Sequence, residues 1–162
     1  MVTVNTKNNI IQNEGQIIYV NGNTYRGEWS DNKMHGNGFM TYVNGDRYKG
    51  EWKYGNKEGK GVMIYANGDK YEGEWHYNLR HGRGIMIYSN NNKYEGFWSN
   101  DDLCRGIMYY ANGDKYEGEW RYNLKHGIGV MNYLNGDKYE GKWDRDFIEE
   151  FDEEFDEEFD ED

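Results

Sequence analysis

One motif, repeated at almost constant spacing, limits what this 162-residue chain can fold into. The pattern Tyr-x-Gly-x-Trp occurs six times, and its copies begin 23, 23, 23, 22 and 23 residues apart. These copies contain all six tryptophans of the chain. A fixed period with several constant positions predicts a repeat array. The tyrosine and tryptophan pairs are Tyr25 and Trp29, Tyr48 and Trp52, Tyr71 and Trp75, Tyr94 and Trp98, Tyr116 and Trp120, and Tyr139 and Trp143.

Each repeat predicts two antiparallel strands. Tyr-x-Gly-x-Trp alternates with the period of two that is typical of a strand. The second strand, Val62-Met63-Ile64-Tyr65, leads into Asn67-Gly68, a strong hairpin signal because both residues tolerate positive φ. The polar segment from Trp75 to Gly82 predicts a longer loop. With a half copy at 15–24 and another at 139–143, the chain predicts 12 strands, which at ~4.8 Å per strand gives a ribbon of about 55 Å.

The type of Asn-Gly turn decides which residues share a face with the tyrosines and tryptophans. A two-residue turn would place Val62 and Ile64 there, whereas a three-residue turn with a bulge would place Gly61, Met63 and Tyr65 there. We favour the second, because it clusters tyrosine and tryptophan with glycine from both strands.

These motifs resemble the MORN (membrane occupation and recognition nexus) repeat, in which Tyr-x-Gly-x-Trp is followed by His-Gly-x-Gly, here His81-Gly82-Arg83-Gly84. The resemblance covers roughly residues 15–143. It implies an elongated ribbon of β-hairpins that serves as a protein-binding or membrane-associated scaffold. Some members of the family are fused to enzymes such as phosphoinositide kinases, but no such domain is recognisable in this sequence.

Composition agrees with an all-β, elongated, single-layer antiparallel ribbon. Aromatic residues reach 17% while hydrophobic residues reach only 36%, and the chain has 22 glycines and no proline. Because aromatic side chains are large, a small number of them is enough to bury the required apolar area along one sheet. We expect a flexible N-terminal arm at 1–14, the hairpin array at 15–146 and an acidic tail at 147–162.

The sequence shows no feature of a membrane-spanning or secreted protein. No apolar run approaches the ~20 residues that a spanning helix requires, and the first residues lack the layout of a signal peptide. Cys104 is the single cysteine, so no disulfide framework is expected. We therefore expect a cytoplasmic protein, with association to membrane or cytoskeleton as the open alternative.

The net charge of −11 belongs to the tail. Residues 147–162 contain 11 acidic and no basic residues, and the remaining 19 acidic residues are balanced by 19 basic ones. Within the array, basic residues precede the repeated tyrosines and glutamates follow them, which favours ion pairing on a solvated face.

The predicted long loops carry a net charge of about +5, which could form a basic edge for an anionic partner or membrane surface. The candidate residues are Lys57, Lys60, Arg80, Arg83, Arg121 and Lys125. The acidic tail opposes such binding and argues against nucleic acid as a partner. His35, His81 and His126 lie about 45 residues apart in succession, too far to share a metal, so we expect no metal and no cofactor.

The tail repeats phenylalanine every four residues, with Ile-Glu-Glu in the first interval and Asp-Glu-Glu in the next two. One reading is a solvated tail that blocks pairing of the last strand. The other is a linear motif with four apolar anchors that binds a basic, apolar groove on another protein or on this ribbon, where it would be autoinhibitory. The anchors are Phe147, Phe151, Phe155 and Phe159.

The fourth copy, 94–115, departs from the others. It is one residue shorter, Cys104-Arg105 replaces the first glycine of Gly-x-Gly, and Phe97 replaces a glutamate. Either this is drift within a loop, or it marks a local kink or a partner-specific contact.

Two functions remain after these exclusions. The first is a protein-binding scaffold or adaptor whose aromatic face, formed by the twelve repeated tyrosines and tryptophans, takes an extended or helical segment of a partner. The second is docking to anionic phospholipid or phosphoinositide through the loop edge. No nucleophile–base pair, phosphate-binding loop or metal spacing points to an enzyme. The identity of the partner and the oligomeric state, including a homodimer, stay open.

Overall fold

The computed structural model describes residues 13–148, which form one antiparallel sheet of 13 strands in sequence order. The single-layer all-β prediction is confirmed. Among these residues there is no helix that could cross a membrane. The strands are β1 Asn13–Ile18, β2 Thr24–Ser30, β3 Lys33–Thr41, β4 Arg47–Lys53, β5 Asn56–Ile64, β6 Lys70–His76, β7 Leu79–Ile87, β8 Lys93–Ser99, β9 Asp102–Tyr109, β10 Lys115–Arg121, β11 Leu124–Asn132, β12 Lys138–Asp144 and β13 Phe147–Ile148.

The sheet has one strand more than the 12 predicted. β13 pairs Phe147 with Asp144 and Ile148 with Trp143, so the first two residues of the predicted tail belong to the sheet. At the other end, β1 begins at Asn13, inside the predicted arm. The other three phenylalanine anchors and the rest of the predicted arm lie outside the described residues.

One kind of connection is a three-residue turn with a bulge. Tyr65 N–H donates to Asp69 O at 2.9 Å, and Gly68 N–H donates back to Tyr65 O at 3.0 Å with Gly68 at φ 94°. This places Met63 opposite Tyr71 and confirms that Gly61, Met63 and Tyr65 share a face with the repeated aromatic residues. The three-residue turn, favoured from the sequence because it clusters tyrosine and tryptophan with glycine, is therefore correct.

The other kind of connection is a two-residue turn, so the prediction of a longer loop is wrong. Tyr77 and Asn78 have φ values of 46° and 70°, as a type I′ turn requires, and β7 begins directly afterwards at Leu79. The polar residues assigned to the loop belong to the strand, where an irregularity at Gly82 (φ 58°) absorbs the extra length.

Paired glycines let the tyrosine rings lie flat on the sheet. Gly73 faces Gly84 across β6 and β7. A Cβ atom added to Gly73 would lie 2.5 Å from the Tyr71 hydroxyl and 2.6 Å from the Gly84 Cα. The Tyr71 hydroxyl donates to Glu74 O at 2.9 Å. Glycine is therefore required by ring packing at this pair.

The three departures of the fourth copy have one structural cause. In the regular copies a strand irregularity contains a positive-φ glycine, and a glutamate caps it: Glu51 Oε1 accepts a hydrogen bond from Lys60 N–H at 2.9 Å. In the fourth copy, Phe97 pairs with Arg105 and Trp98 with Leu103, which leaves only Cys104 as the extra residue. A shorter irregularity presents one fewer backbone N–H, so the glutamate has no capping role and is replaced.

Candidate binding faces of the sheet

The two faces of the sheet differ in chemistry, and we name them the core face and the open face. The core face carries the repeated tyrosines and tryptophans, together with buried methionines. Tyr71 packs edge-on against Trp75 at 5.1 Å and against Trp98 of the next copy at 5.2 Å between ring centroids. The first five repeated tyrosines pack in the same way, so each joins two successive repeats. The buried methionines, of which the sequence prediction of this face included only Met63, are Met40, Met63, Met86, Met108 and Met131.

The twelve aromatic side chains predicted to bind a partner are brought together on the core face, but nearly all of them are buried. Five of the tyrosines are 0% exposed, and the tryptophans are 3–7% exposed. Tyr139 is only half-buried. Their binding role stays a prediction, limited to the little surface that remains. A second set of half-buried tyrosines flanks them: Tyr42, Tyr65, Tyr88, Tyr110 and Tyr133.

Three of the six residues predicted to form a basic edge instead pack on the core face. Lys57 Nζ lies 4.1 Å from the Trp75 ring centroid, and the side chain is 9% exposed. Arg80 stacks on Trp98 at 4.5 Å and Lys125 on Trp143 at 4.8 Å in the same way. Lys60 and Arg83 lie instead on the open face, and Arg121 lies beside a turn. The structure therefore distributes these six residues over three places.

Lys57 differs from its two equivalents in its polar partner. Arg80 Nε donates to Asp101 Oδ1 at 2.8 Å, and Lys125 lies 3.8 Å from Asp146. At the same position, Lys57 meets the neutral Asn78, whose Oδ1 accepts the backbone N–H of Lys57 at 2.8 Å. Burial lowers the pKa of Lys57 to about 8.

Charge on the open face changes along the ribbon. In the later copies a lysine pairs with the glutamate two residues on, which neutralises both. These ion pairs join Lys70 and Glu72 (2.9 Å), Lys93 and Glu95, Lys115 and Glu117 (3.2 Å), and Lys138 and Glu140 (2.7 Å).

The first two copies lack these glutamates and carry arginine or lysine at the same position. Together with their neighbours, these residues form an exposed group that we call the basic patch: Arg26, Arg47, Lys49 and Lys60. None of the four has an ion-pair partner within residues 13–148. Nearby, Glu28 and Glu51 accept backbone N–H groups of Asn37 and Lys60. When these two carboxylates are counted with the four cations, the net charge is +2.

A solvent-open groove of about 1620 Å³ crosses the open face from β1 to β7 and includes much of this patch. Its basic lining residues are Arg26, Lys49, Lys60 and Arg83. Its apolar residues are Phe39 and Val62, and its carboxylates are Glu14, Glu72 and Glu74.

Exposed apolar side chains continue along the open face. Phe39 is 40% exposed, Ile85 is 37%, Ile87 is 43% and Phe97 is 46%. An apolar row on a solvent-facing sheet is a common feature of interaction surfaces. This site was not predicted from the sequence, although one signal was present: the residue after the repeated tyrosine changes from Arg26 and Lys49 to glutamate in the later copies.

The edge with the two-residue turns exposes a row of tyrosines. Tyr54, Tyr77 and Tyr122 are 56%, 66% and 71% exposed, and each occupies a positive-φ position that bulky residues rarely adopt. Charge here is mixed, because Lys53 and Arg121 are offset by acidic residues such as Asp101 and Asp102. Within the described part of the chain, no group of three or more His, Cys, Asp or Glu residues is arranged to hold a metal ion.

Comparison with known structures finds two domains that resemble this chain. The TCP domain of Drosophila melanogaster SAS-4 (dCPAP), solved with a proline-rich motif of Ana2 (dSTIL), shares 15% identity over 81% of this chain and 72% of that chain, with a TM-score of 0.51. The TCP10c domain of Drosophila melanogaster Sas-4 shares 19% identity over 86% and 96% of the two chains, with a TM-score of 0.43. Comparison with curated proteins found no match.

The model of the MORN repeat family matches residues 25–47, 48–70, 71–93 and 116–138. The unmatched copy between them, 94–115, is the one with the shortened irregularity and Phe97. Since the matched segments span more than half of the sequence and coincide with the observed hairpins, the chain belongs to the MORN repeat family.

Proposed function

We propose that this chain is a non-enzymatic scaffold that binds a protein segment on its open face. The observation that carries the proposal is the groove over β1–β7, where four basic side chains surround Phe39 and Val62. On the core face the equivalent apolar area is already covered by neighbouring rings. A partner segment with acidic and aromatic residues would match both components of the groove.

A shallow groove across a sheet suits an extended or helical segment more than a small molecule, because a small ligand requires a more enclosed site. The SAS-4 domain of similar fold was solved with a bound proline-rich motif. Short segments of a partner are therefore a sound ligand class to test for this chain.

The test places a photo-crosslinking phenylalanine analogue at position 39 of the full chain in its native cell. We expect crosslinks to protein, which the Lys49→Glu substitution removes because it places a glutamate two residues after Arg47, as in the lysine–glutamate pairs of the later copies. Arg105→Glu is the matched control, because this exposed residue lies on the same face outside the groove. No protein adduct at position 39, or equal loss in both variants, would reject the proposal.

Docking to a membrane through the turn edge is the second candidate, and the exposed row of tyrosines favours it. Tyrosine partitions to the boundary between lipid and water. The test is flotation with phosphoinositide-containing vesicles, for the chain and for a variant with Tyr54, Tyr77 and Tyr122 changed to asparagine, which tolerates the turn conformation. Equal flotation of the two proteins, or none, would reject this candidate.

A further inference from the structure

We propose that the acidic tail of one copy of this chain docks in the open-face groove of a second copy, so that the chains associate head to tail. This inference rests on the proposed binding role of the open face and names its occupant. It joins two features at opposite ends of the ribbon, the basic patch on β2, β4 and β5 and the segment 149–162.

The chemistry of the two features is complementary. Residues 149–162 contain 11 acidic residues and no basic residue, with phenylalanine at every fourth position. The basic patch has four cations without ion-pair partners in the described part of the chain, beside Phe39 at 40% exposure. Its two nearby carboxylates, Glu28 and Glu51, are directed at backbone N–H groups. The tail therefore offers carboxylates to the cations that have no ion-pair partner and aromatic side chains to the exposed Phe39.

The difference in ion pairing between the first two copies and the later copies favours the basic patch as the docking site. In the later copies, the lysine at the position of Arg47 already has a carboxylate partner two residues away. Binding there would have to displace an existing ion pair, whereas binding at the basic patch supplies a missing one. Complementary charge of this kind determines where a partner binds and how fast it associates.

Distance selects a second copy over the same copy. Nine strand spacings separate β13 from β4, which at ~4.8 Å each is about 43 Å along the sheet. The 14 residues of segment 149–162 span about 46 Å at full extension, at ~3.3 Å per residue. Within one chain the segment would need nearly all of its length to reach Lys49 on β4, so few residues would remain to bind the basic patch. The tail of a second copy can lie along the groove with all three phenylalanines.

The resulting contact is heterologous, since one chain contributes its tail and the other its groove. Such contacts add further copies until a ring closes. Because the attraction is between exposed charges, added salt weakens it.

Sedimentation velocity of the full chain over a wide concentration range at low salt tests the inference. We expect the sedimentation coefficient to rise with concentration and the rise to disappear with Lys49→Glu but not with Arg105→Glu. Changing Phe151, Phe155 and Phe159 together to alanine should also remove it, and an excess of a synthetic peptide with the sequence of residues 149–162 should dissociate the assemblies.

A sedimentation coefficient that does not change with concentration would overturn the inference, and so would equal effects of Lys49→Glu and Arg105→Glu. The crosslinker at position 39 separates this failure from failure of the proposed function. Adducts between two copies support head-to-tail docking. Adducts only to a different protein reject it while the scaffold role stands, and the absence of any protein adduct rejects both.

Discussion

At the scale of single residues, position within the repeat decides what a side chain does. Lys57, Arg80 and Lys125 occupy one repeat position, and each stacks its cation on a tryptophan. The first and fourth copies have Met34 and Leu103 there. The position therefore selects for a long side chain that covers a ring, and charge is secondary.

We predict that Lys57→Met raises the free energy of unfolding at neutral pH by on the order of 1 kcal/mol, because it removes a buried charge without a carboxylate partner. The folded-state pKa is lowered from 10.5 to about 8, so between these values the unfolded chain binds more protons and wild-type stability rises with pH. The difference in free energy of unfolding between Lys57→Met and the wild type should therefore shrink as the pH rises between these two pKa values. Chemical denaturation from pH 7 to 10 measures it.

Lys60→Met is the control for this prediction, because Lys60 is exposed on the open face. It should show no such pH dependence relative to the wild type. An advantage of Lys57→Met that stays constant with pH would contradict the assigned cause.

A second residue-scale prediction concerns the glutamates that cap the strand irregularities. Glu51→Ala removes the acceptor of the Lys60 backbone N–H and should destabilise the fold by about 1 kcal/mol. Glu72→Ala breaks only the exposed ion pair with Lys70 and should cost less than about 0.5 kcal/mol. Equal losses in thermal denaturation would show that the cap contributes nothing specific.

At the scale of elements, the hairpins explain which expectations were correct. The Asn-Gly turn was predictable, because few residues adopt positive φ and the aromatic cluster requires one face. The Tyr77-Asn78 turn was not, because a bulky tyrosine at positive φ does not signal a tight turn. As a result, strand residues such as Lys57 and Arg80 were assigned to a loop edge, and a buried role was missed.

The three-residue turns allow a prediction from paired positions. Gly68 and Asn91 occupy the same turn position at φ 94° and 67°. Asn91→Gly should raise the free energy of unfolding by up to about 1 kcal/mol, and Gly68→Ala should lower it by about 1 kcal/mol, because only glycine adopts this conformation without steric cost. Denaturant titrations measure both, and a destabilising Asn91→Gly would contradict the assignment.

At the scale of the whole molecule, the ribbon has no central core. Strands adjacent in sequence pair with one another along the entire sheet, and tyrosines bridge neighbouring copies. Stability is therefore expected to be a sum over repeats and their interfaces. The sequence predicted this architecture from its period, but it did not predict which face stays available, since that depends on how completely the rings cover each other.

This architecture predicts that a destabilising substitution in one repeat affects only the neighbouring strands. Trp75→Ala should remove about 3–5 kcal/mol of local stabilisation and lower amide exchange protection in β4–β8. Protection in β10–β12 should stay close to that of the wild type, as measured by hydrogen exchange. A uniform loss over all strands would show instead that the array unfolds as one unit.

Crosslinking at two positions of the full chain tests whether partners contact the open face. The photo-crosslinking residue is placed at Phe39 on the open face in one variant and at Tyr65 on the rim of the core face in the other. We expect strong protein adducts at position 39, sensitive to Lys49→Glu, and weak ones at position 65. Stronger protein adducts at position 65 than at position 39 would contradict this expectation and return the binding role to the aromatic face.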